Sequence, residues 1–313
     1  MERHSREKGP DNDREIMERE LLRPEVLRSL RQTEKKQAEL IAADDRSIML
    51  IVRREHIINS IFWDVLIDMV ESEIKRRGFK FSLCVEEESE SFSPSEADGF
   101  ILLGQIARKY SRVLGSSRRP FVWIDGDIKY ESCNQVRVNN GFGAYQMTKR
   151  AIELGHRQLA YIYSAAHLSY YERYQGMEDC VYDHRDAGVT CERIKVSIER
   201  GVDFFTEILS RKNYPTFILT CTDSIAYKIY SVAAQLLIDI PGSLSVAGFD
   251  NLHESRFLKP SLSSVDVPRV DMAVTAVELL VKHMNNPLCA HELIRVEPTA
   301  VMRESLAPAP GKR

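Results

Sequence analysis

From residue 47 onward, short apolar segments alternate along the chain with longer amphipathic segments. Several of the short segments are apolar at consecutive positions, which is typical of strands covered on both faces of a sheet. Ten segments have this character: IMLIV (48–52), FSLCV (81–85), GFILLG (99–104), PFVWID (120–125), QVRV (135–138), LAYIYS (159–164), RIKVSI (193–198), TFILT (216–220), SVAGF (245–249) and SVDV (264–267). The pattern predicts about ten strands.

The segments between these strands repeat apolar residues at helical spacing, most clearly over 62–76, 143–154 and 223–237. Strands that alternate with helices predict βαβ units and parallel sheets. Ten strands are too many for one small doubly wound sheet. We therefore predict an α/β fold with two Rossmann-like lobes, each built on a parallel sheet.

Residues 1–46 have a different composition, with nearly equal numbers of positive and negative residues and few large apolar residues. Good helix formers over 14–43 predict one or two surface helices, the second opened by Pro24. The alternative is a poorly ordered arm.

Composition narrows the possible functions. The chain has 313 residues and a net charge of −3, so it is not a polycation, and any DNA contact must come from a local element or a partner. No apolar run approaches the ~18 residues that a membrane helix needs, and the charged N-terminus does not resemble a secretory signal. We expect a cytoplasmic protein without a membrane partner.

Signals for metal binding, disulfides and catalysis are weak. The chain has no C-x-x-C pair and no zinc-ligand spacing, so we expect its six cysteines to be free thiols, several of them buried, and we expect no metal or cofactor. Gly141 and Gly143 form a G-x-G, but the third glycine of a dinucleotide fingerprint is replaced by Gln146. Phosphate loops and nucleophile elbows are also absent from the sequence. We expect a protein that is not an enzyme.

Several strings, in one order, resemble the LacI/GalR transcription regulators and their periplasmic sugar-binding relatives. IMLIV and the segment NSIFWDVLIDMVESEIKRRGF (59–79) are similar to the family's first strand, Asn-Pro-Phe-Phe loop and first helix, with Ser60 in place of proline. ADGFILLG (97–104) resembles its Asp-Gly-Ile-Ile strand. VRVNNGFGAYQMTKRAIELGHRQLAYI (136–162) is similar to its strand, Asp-Asn, Gly-Ala helix and Leu-Gly-His-Arg turn.

The same order continues to the C-terminus. The later strings are YERYQGMEDCV (171–181) with the family's Arg-x-x-Gly, PTFILTCTDSIAYKIYSVAAQLLIDIPGSLSVAGFDN (215–251), KPSLSSVDVPRVDMAVTAVELL (259–280) and PTAVMRESL (298–306). The resemblance covers residues 47–306. It implies a first lobe over 47–154 and 266–296 and a second lobe over 155–265 and 297–306.

One part of the family pattern is missing. Residues 1–46 contain neither a Val-Ser-x-x-Thr-Val-Ser recognition-helix string nor an Asn-x-x-Ala-Arg-x-Leu hinge. They therefore show no recognisable complete helix-turn-helix.

In a two-lobed fold, a ligand binds beyond the carboxyl ends of the strands, between the lobes. An aromatic face and paired polar groups there suit a sugar, and an arginine offers a planar fork of donors. Strand ends and the resemblance together point to nine candidate ligand-binding residues: Asn59, Phe62, Trp63, Asn139, Phe142, Arg173, Thr222, Asp250 and Arg269. We interpret Asp223 as a helix N-cap and His156 as structural.

Two hypotheses for function follow. In the first, the chain is a LacI/GalR-like regulator, acting as a homodimer, in which a sugar or related metabolite bound between the lobes is coupled to operator binding. In the second, it is a small-molecule sensor that does not bind DNA.

Overall fold

The computed structural model describes residues 45–58, 61–86, 93–106, 108–126, 133–164, 167–196 and 201–311. Its strands are β1 (Ser47–Arg53), β2 (Lys80–Glu86), β3 (Gly99–Leu103), β4 (Phe121–Ile124), β5 (Asn134–Val138), β6 (Gln158–Tyr163), β7 (Thr190–Lys195), β8 (Phe217–Thr220), β9 (Ser245–Asp250), β10 (Ser263–Asp266), β11 (Leu293–Val296) and β12 (Thr299–Val301). Its α-helices are α1 (Arg54–Ile58), α2 (Ile61–Arg76), α3 (Arg108–Ser116), α4 (Asn140–Glu153), α5 (Leu168–Asp183), α6 (Gly201–Leu209), α7 (Asp223–Gln235) and α8 (Arg269–Asn285). The arm predicted over 1–46 lies outside the described residues, apart from 45 and 46.

The strands form two six-stranded sheets, which confirms the predicted α/β fold with two lobes. The first sheet has the order β11-β5-β4-β3-β1-β2, and the second has the order β12-β10-β9-β8-β6-β7. Neighbouring strands are parallel, except that β12 runs antiparallel to β10. We call the sheet containing β1, with its helices, the first lobe, and the sheet containing β6 the second lobe.

Both faces of the first sheet are covered, which explains its unbroken apolar strands. Leu66 and Ile74 of α2 pack with Leu280 of α8 in the core on one side. Tyr110 and Leu114 of α3 pack in a separate cluster on the other side. Burying an apolar side chain of this size contributes about 1.5–3 kcal/mol to the free energy of folding. Burial of the continuous apolar segments therefore contributes strongly to the stability of this sheet.

Helix α4 corrects the predicted lobe boundary. It packs against α5 and against β8, β10 and β12, all of which belong to the second lobe. The chain therefore leaves the first lobe after β5, at residue 139, and not after residue 154. The amphipathic pattern of 143–154 shows that one helix face is buried, but it carries no information about which sheet buries it.

The six cysteines are free thiols in the structure, and Cys133, Cys180 and Cys221 are buried, as predicted. Among the described residues, no helix is both long enough and apolar enough to span a bilayer.

Candidate functional site

A cleft of about 300 Å³ lies between the two lobes. Its walls come from residues at or after the carboxyl ends of β1, β3 and β4 in the first lobe and of β6, β8 and β9 in the second. This is the position where parallel α/β sheets place their ligands. The lining residues are Arg53, Glu55, His56, Phe62, Trp63, Gly104, Gln105, Asp125, His167, Ser169, Tyr170, Arg173, Thr222 and Asp250.

Five of the nine candidate residues line this cleft together. Phe62 and Trp63 belong to the first lobe, and Arg173, Thr222 and Asp250 belong to the second. Phe62 and Trp63 are adjacent in the sequence, and both reach the cleft.

The other four candidates lie elsewhere. The guanidinium of Arg269 is 5.5 Å from the centre of the Phe62 ring, beside the cleft. Asn139 donates from Nδ2 to Glu297 Oε1 at 2.9 Å, and Phe142 is exposed on α4. Neither Asn139 nor Phe142 is a lining residue, and Asn59 lies outside the described residues.

Arg173 is the best-supported polar group of the cleft. Its side chain is buried, its Nε donates to Asn140 Oδ1 at 2.9 Å, and its Nη1 donates to the carbonyl of Cys221. Nη1 also lies 3.5 Å from Asp250 Oδ1, and the guanidinium stacks over the Phe249 ring at 3.6 Å. A guanidinium held from several sides loses little conformational freedom when a ligand binds.

Close packing of two glycines places Asn140 beside Arg173. A Cβ atom on Gly176 of α5 would lie 1.9 Å from the carbonyl oxygen of Gly141 on α4. Only glycine at position 176 therefore allows the two helices to approach this closely. This contact explains the Arg-x-x-Gly string, because Gly176 allows α5, which carries Arg173, to pack closely against α4.

Asp250 is the last residue of β9 and has a left-handed backbone, with φ of +105°. Its carboxyl group is buried, and burial raises the pKa of Asp250 to about 7, against the opposing effect of the Arg173 guanidinium. A carboxyl group in this state accepts or donates hydrogen bonds according to pH.

Asp223 is not the N-cap that the sequence suggested. Thr222 occupies the N-cap position of α7 without a side-chain capping bond, and Asp223 begins the helix. The buried Asp223 carboxylate accepts from the Leu252 amide at 2.8 Å and from the hydroxyls of Ser255 and Ser264, each at 2.6 Å. It therefore fixes the loop that follows Asp250, while the Thr222 side chain lines the cleft.

The first-lobe wall is aromatic. His56 stacks on Trp63 with ring centres 4.6 Å apart, and Phe62 meets Trp63 edge-on at 5.0 Å. Burial, reinforced by the charge of Arg53, lowers the pKa of His56 to about 4, so its ring is neutral at pH 7. Stacked neutral rings offer an apolar face to the C–H side of a ligand.

His156 has the structural role predicted for it. It is fully buried, with Nδ1 3.0 Å from Thr216 Oγ1 and Nε2 3.0 Å from the carbonyl of Ala307. Among the described residues, no group of histidine, cysteine, aspartate and glutamate side chains is arranged to hold a metal ion.

The sequence argument missed several polar and aromatic groups at or beside the cleft, four of which show why. Asp125 directly follows β4, so the rule that found Asp250 at the end of β9 would also have found it. His56 and Tyr170 lie in helices after β1 and β6, and their spacing carries no comparable signal. Asn140, not its neighbour Asn139, contacts Arg173.

Comparisons with known proteins agree with this geometry. The periplasmic binding protein-like domain family matches residues 148–306. The ribose operon repressor of Haemophilus influenzae is 27% identical over 226 residues, which are 71% of this chain and 68% of that protein. The HTH-type transcriptional repressor PurR of Histophilus somni is 25% identical over 255 residues, 77% of this chain and 76% of that protein.

A solved structure shares the fold. A LacI family transcriptional regulator from Enterococcus faecium, crystallised with bound ribose, superposes with a TM-score of 0.71 at 22% identity. The match covers 83% of this chain and 99% of that one.

Proposed function

Because the chain belongs to the periplasmic-binding-protein-like domain family and has the effector-binding core of LacI/GalR regulators, we propose that it is a ligand-responsive transcription regulator. It binds a neutral sugar between its lobes, and the bound sugar changes its affinity for operator DNA. Two curated relatives are named as repressors, and a neighbour of the same fold holds ribose.

The observation that carries this proposal is the pairing of Arg173 with Asp250 at the base of a cleft walled by aromatic rings. Their closest atoms are 3.5 Å apart, and both side chains are buried. A fork of donors beside a carboxyl group suits adjacent hydroxyl groups, and aromatic faces suit the C–H surface of a sugar ring.

Charge pairing favours a neutral sugar over a phosphorylated one. The two guanidiniums that line the cleft both have carboxyl groups nearby, since Arg53 Nε lies 3.3 Å from Glu55 and Arg173 Nη1 lies 3.5 Å from Asp250, and Asp125 adds a third carboxyl group to the lining. A phosphate would need positive charge that is not already balanced in this way.

Operator binding would follow from lobe movement in a homodimer. An effector that closes the cleft changes the relative orientation of the two lobes. Such a rigid-body change in each subunit alters the contacts that the dimer makes with DNA. A sensor that does not bind DNA is the second candidate, favoured by the absence of a recognition-helix string from residues 1–46.

Calorimetric titration with D-ribose and a panel of neutral pentoses and hexoses tests the ligand. We expect saturable binding that Arg173→Lys and Asp250→Asn each abolish. Arg211→Lys is the matched control, because Arg211 pairs with Glu192 on the exposed surface and lies outside the cleft. Full affinity in both cleft variants would refute the site, and the absence of binding across the panel would refute the sugar.

A footprint on DNA from the promoter region of its own gene tests the second half of the proposal. Protection that changes when the bound sugar is added is the expected result. Sugar binding without any protection would favour the sensor that does not bind DNA.

A further inference from the structure

We infer that Glu172 is a positioning residue that ties the sugar-binding Arg173 to the first lobe, so that the orientation of this arginine depends on how the lobes are placed. The inference rests on the proposed function for the identity of the ligand. The contacts that form the tie involve protein groups alone.

Glu172 joins the two lobes by a largely buried ion pair. It lies on α5 of the second lobe, one residue before Arg173, and its Oε1 accepts from Nη2 of Arg137 at 3.0 Å. Arg137 belongs to β5 of the first lobe, and its side chain is only 4% exposed. The ion pair therefore crosses the boundary between the lobes in a water-poor position.

The second carboxylate oxygen of Glu172 is connected to the cleft residue Arg173 through the side chain of Asn140. Oε2 accepts from Asn140 Nδ2 at 3.2 Å, and Oδ1 of the same amide accepts from Arg173 Nε at 2.9 Å. Asn140 is fully buried, so its amide has no water with which to replace either contact. A continuous chain of hydrogen bonds thus runs from Arg137 through Glu172 and Asn140 to Arg173.

Neither end of the ion pair lines the cleft, so Glu172 acts on the ligand through Arg173. Arg137 Nε is buried and has no hydrogen-bond partner among the residues that the structure describes, which makes Glu172 important for balancing this guanidinium. If the first lobe rotates, Arg137 moves with its sheet, and the contacts of Glu172 and Asn140 must change. By thermodynamic reciprocity, a sugar that fixes Arg173 also stabilises the lobe arrangement in which these contacts are intact.

Three variants separate this role from a purely structural one: Glu172→Gln, Arg137→Met and the double variant. Removing one partner of a buried ion pair destabilises the fold, whereas replacing both partners restores much of the stability. We expect the free energy of unfolding to fall in each single variant and to recover in the double variant. We expect ribose affinity to fall about tenfold in Glu172→Gln and to stay low in the double variant, because the tie is still missing.

Hydrogen–deuterium exchange of the ligand-free protein supplies a readout that needs no sugar. In Glu172→Gln, amides of the first turns of α4 and α5 should exchange faster than in the wild type. Asp179→Asn is the matched control, because it removes one negative charge from an exposed position two turns further along α5 and should leave both readouts unchanged.

Affinity that recovers together with stability in the double variant would overturn the inference, as would unchanged exchange in Glu172→Gln. If the wild-type protein binds neither ribose nor the other sugars, the proposed ligand is wrong, and the exchange comparison alone decides whether the tie exists.

Discussion

Gly176→Ala tests whether close helix packing positions the effector-binding arginine. The added Cβ would lie 1.9 Å from the carbonyl oxygen of Gly141. A carbon and a carbonyl oxygen normally approach no closer than about 3.3 Å, so α4 and α5 must separate locally by about 1.4 Å. The same movement would stretch the 2.9 Å bond between Arg173 Nε and Asn140 Oδ1 to about 4 Å, which breaks it.

Two opposing effects decide the sign of the stability change. Alanine within a helix is favoured over glycine by about 1 kcal/mol. Overpacking costs about 1–3 kcal/mol, and the lost bond to a charged group adds about 1.5–3 kcal/mol. The two costs exceed the gain in helix propensity, so we expect Gly176→Ala to lower the free energy of unfolding by about 1.5–5 kcal/mol.

The assay is urea unfolding followed by circular dichroism, with sugar affinity measured in parallel. Gly141→Ala is the matched control at the same contact, because a Cβ there would meet its nearest neighbour, the Glu172 carbonyl oxygen, at an ordinary 3.4 Å. It should be neutral or mildly stabilising and should bind sugar normally. A Gly176→Ala protein as stable as the control would refute the packing argument.

Three further predictions concern the cleft and its support. Because burial raises the pKa of Asp250 from its ordinary range near 4 to about 7, the folded state holds this proton more tightly than the unfolded state. The free energy of unfolding should therefore fall as pH rises from 4 to 7, and Asp250→Asn should remove that part of the slope in urea unfolding at several pH values. Asp223→Asn should lower the free energy of unfolding by about 1–3 kcal/mol, because the amide keeps one acceptor oxygen but places its NH2 group against at least one of the groups that now donate to the carboxylate; an unchanged urea midpoint would contradict this. Trp63 lines the cleft, whereas Trp123 is 1% exposed in the core. Trp63→Phe should therefore abolish the change in tryptophan fluorescence that accompanies sugar binding. A fluorescence change that disappears only in Trp123→Phe would contradict this assignment.

The sheets were predictable because their strands are locally unambiguous. All ten apolar segments overlap strands. Eight of these strands are largely buried, and burial on both faces selects unbroken hydrophobic runs, whereas the edge strands β2 and β7 are partly exposed. The pattern missed β11 and β12, which are short and largely uncovered, with burial too irregular to produce a run. It also could not assign α4 to its lobe, because amphipathicity reports burial and not the identity of the partner.

The cleft was predictable only as far as it depends on strand ends. Thr222 and Asp250 follow or end strands, and parallel topology brings such ends together. Arg173 lies inside α5 and was found through the Arg-x-x-Gly string of the family resemblance. Asn139 was chosen where Asn140 makes the contact, because a shift of one residue at a helix start rotates the side chain by about 100° and the sequence does not fix that rotation. His56 escaped notice because its place depends on stacking with Trp63, a tertiary contact.

The two walls of the cleft differ in how firmly they are held, and this difference bears on how the protein responds to ligand. In the second lobe, Arg173 is bound by Asn140, the Cys221 carbonyl and Asp250, and Asn140 is held in turn by Glu172, so protein contacts fix its position while the lobes keep this arrangement. In the first lobe, the Arg53 side chain is 40% exposed, and within the described residues it pairs with the exposed Glu55 at 3.3 Å and with Glu86 at 3.7 Å, contacts that contribute little rigidity. We therefore expect the second lobe to orient most of the bound sugar. The free energy gained when the sugar contacts the first lobe can then drive a movement of the first lobe. Such a division is what a regulator needs, since a ligand shifts a conformational equilibrium only through interactions that differ between the two states.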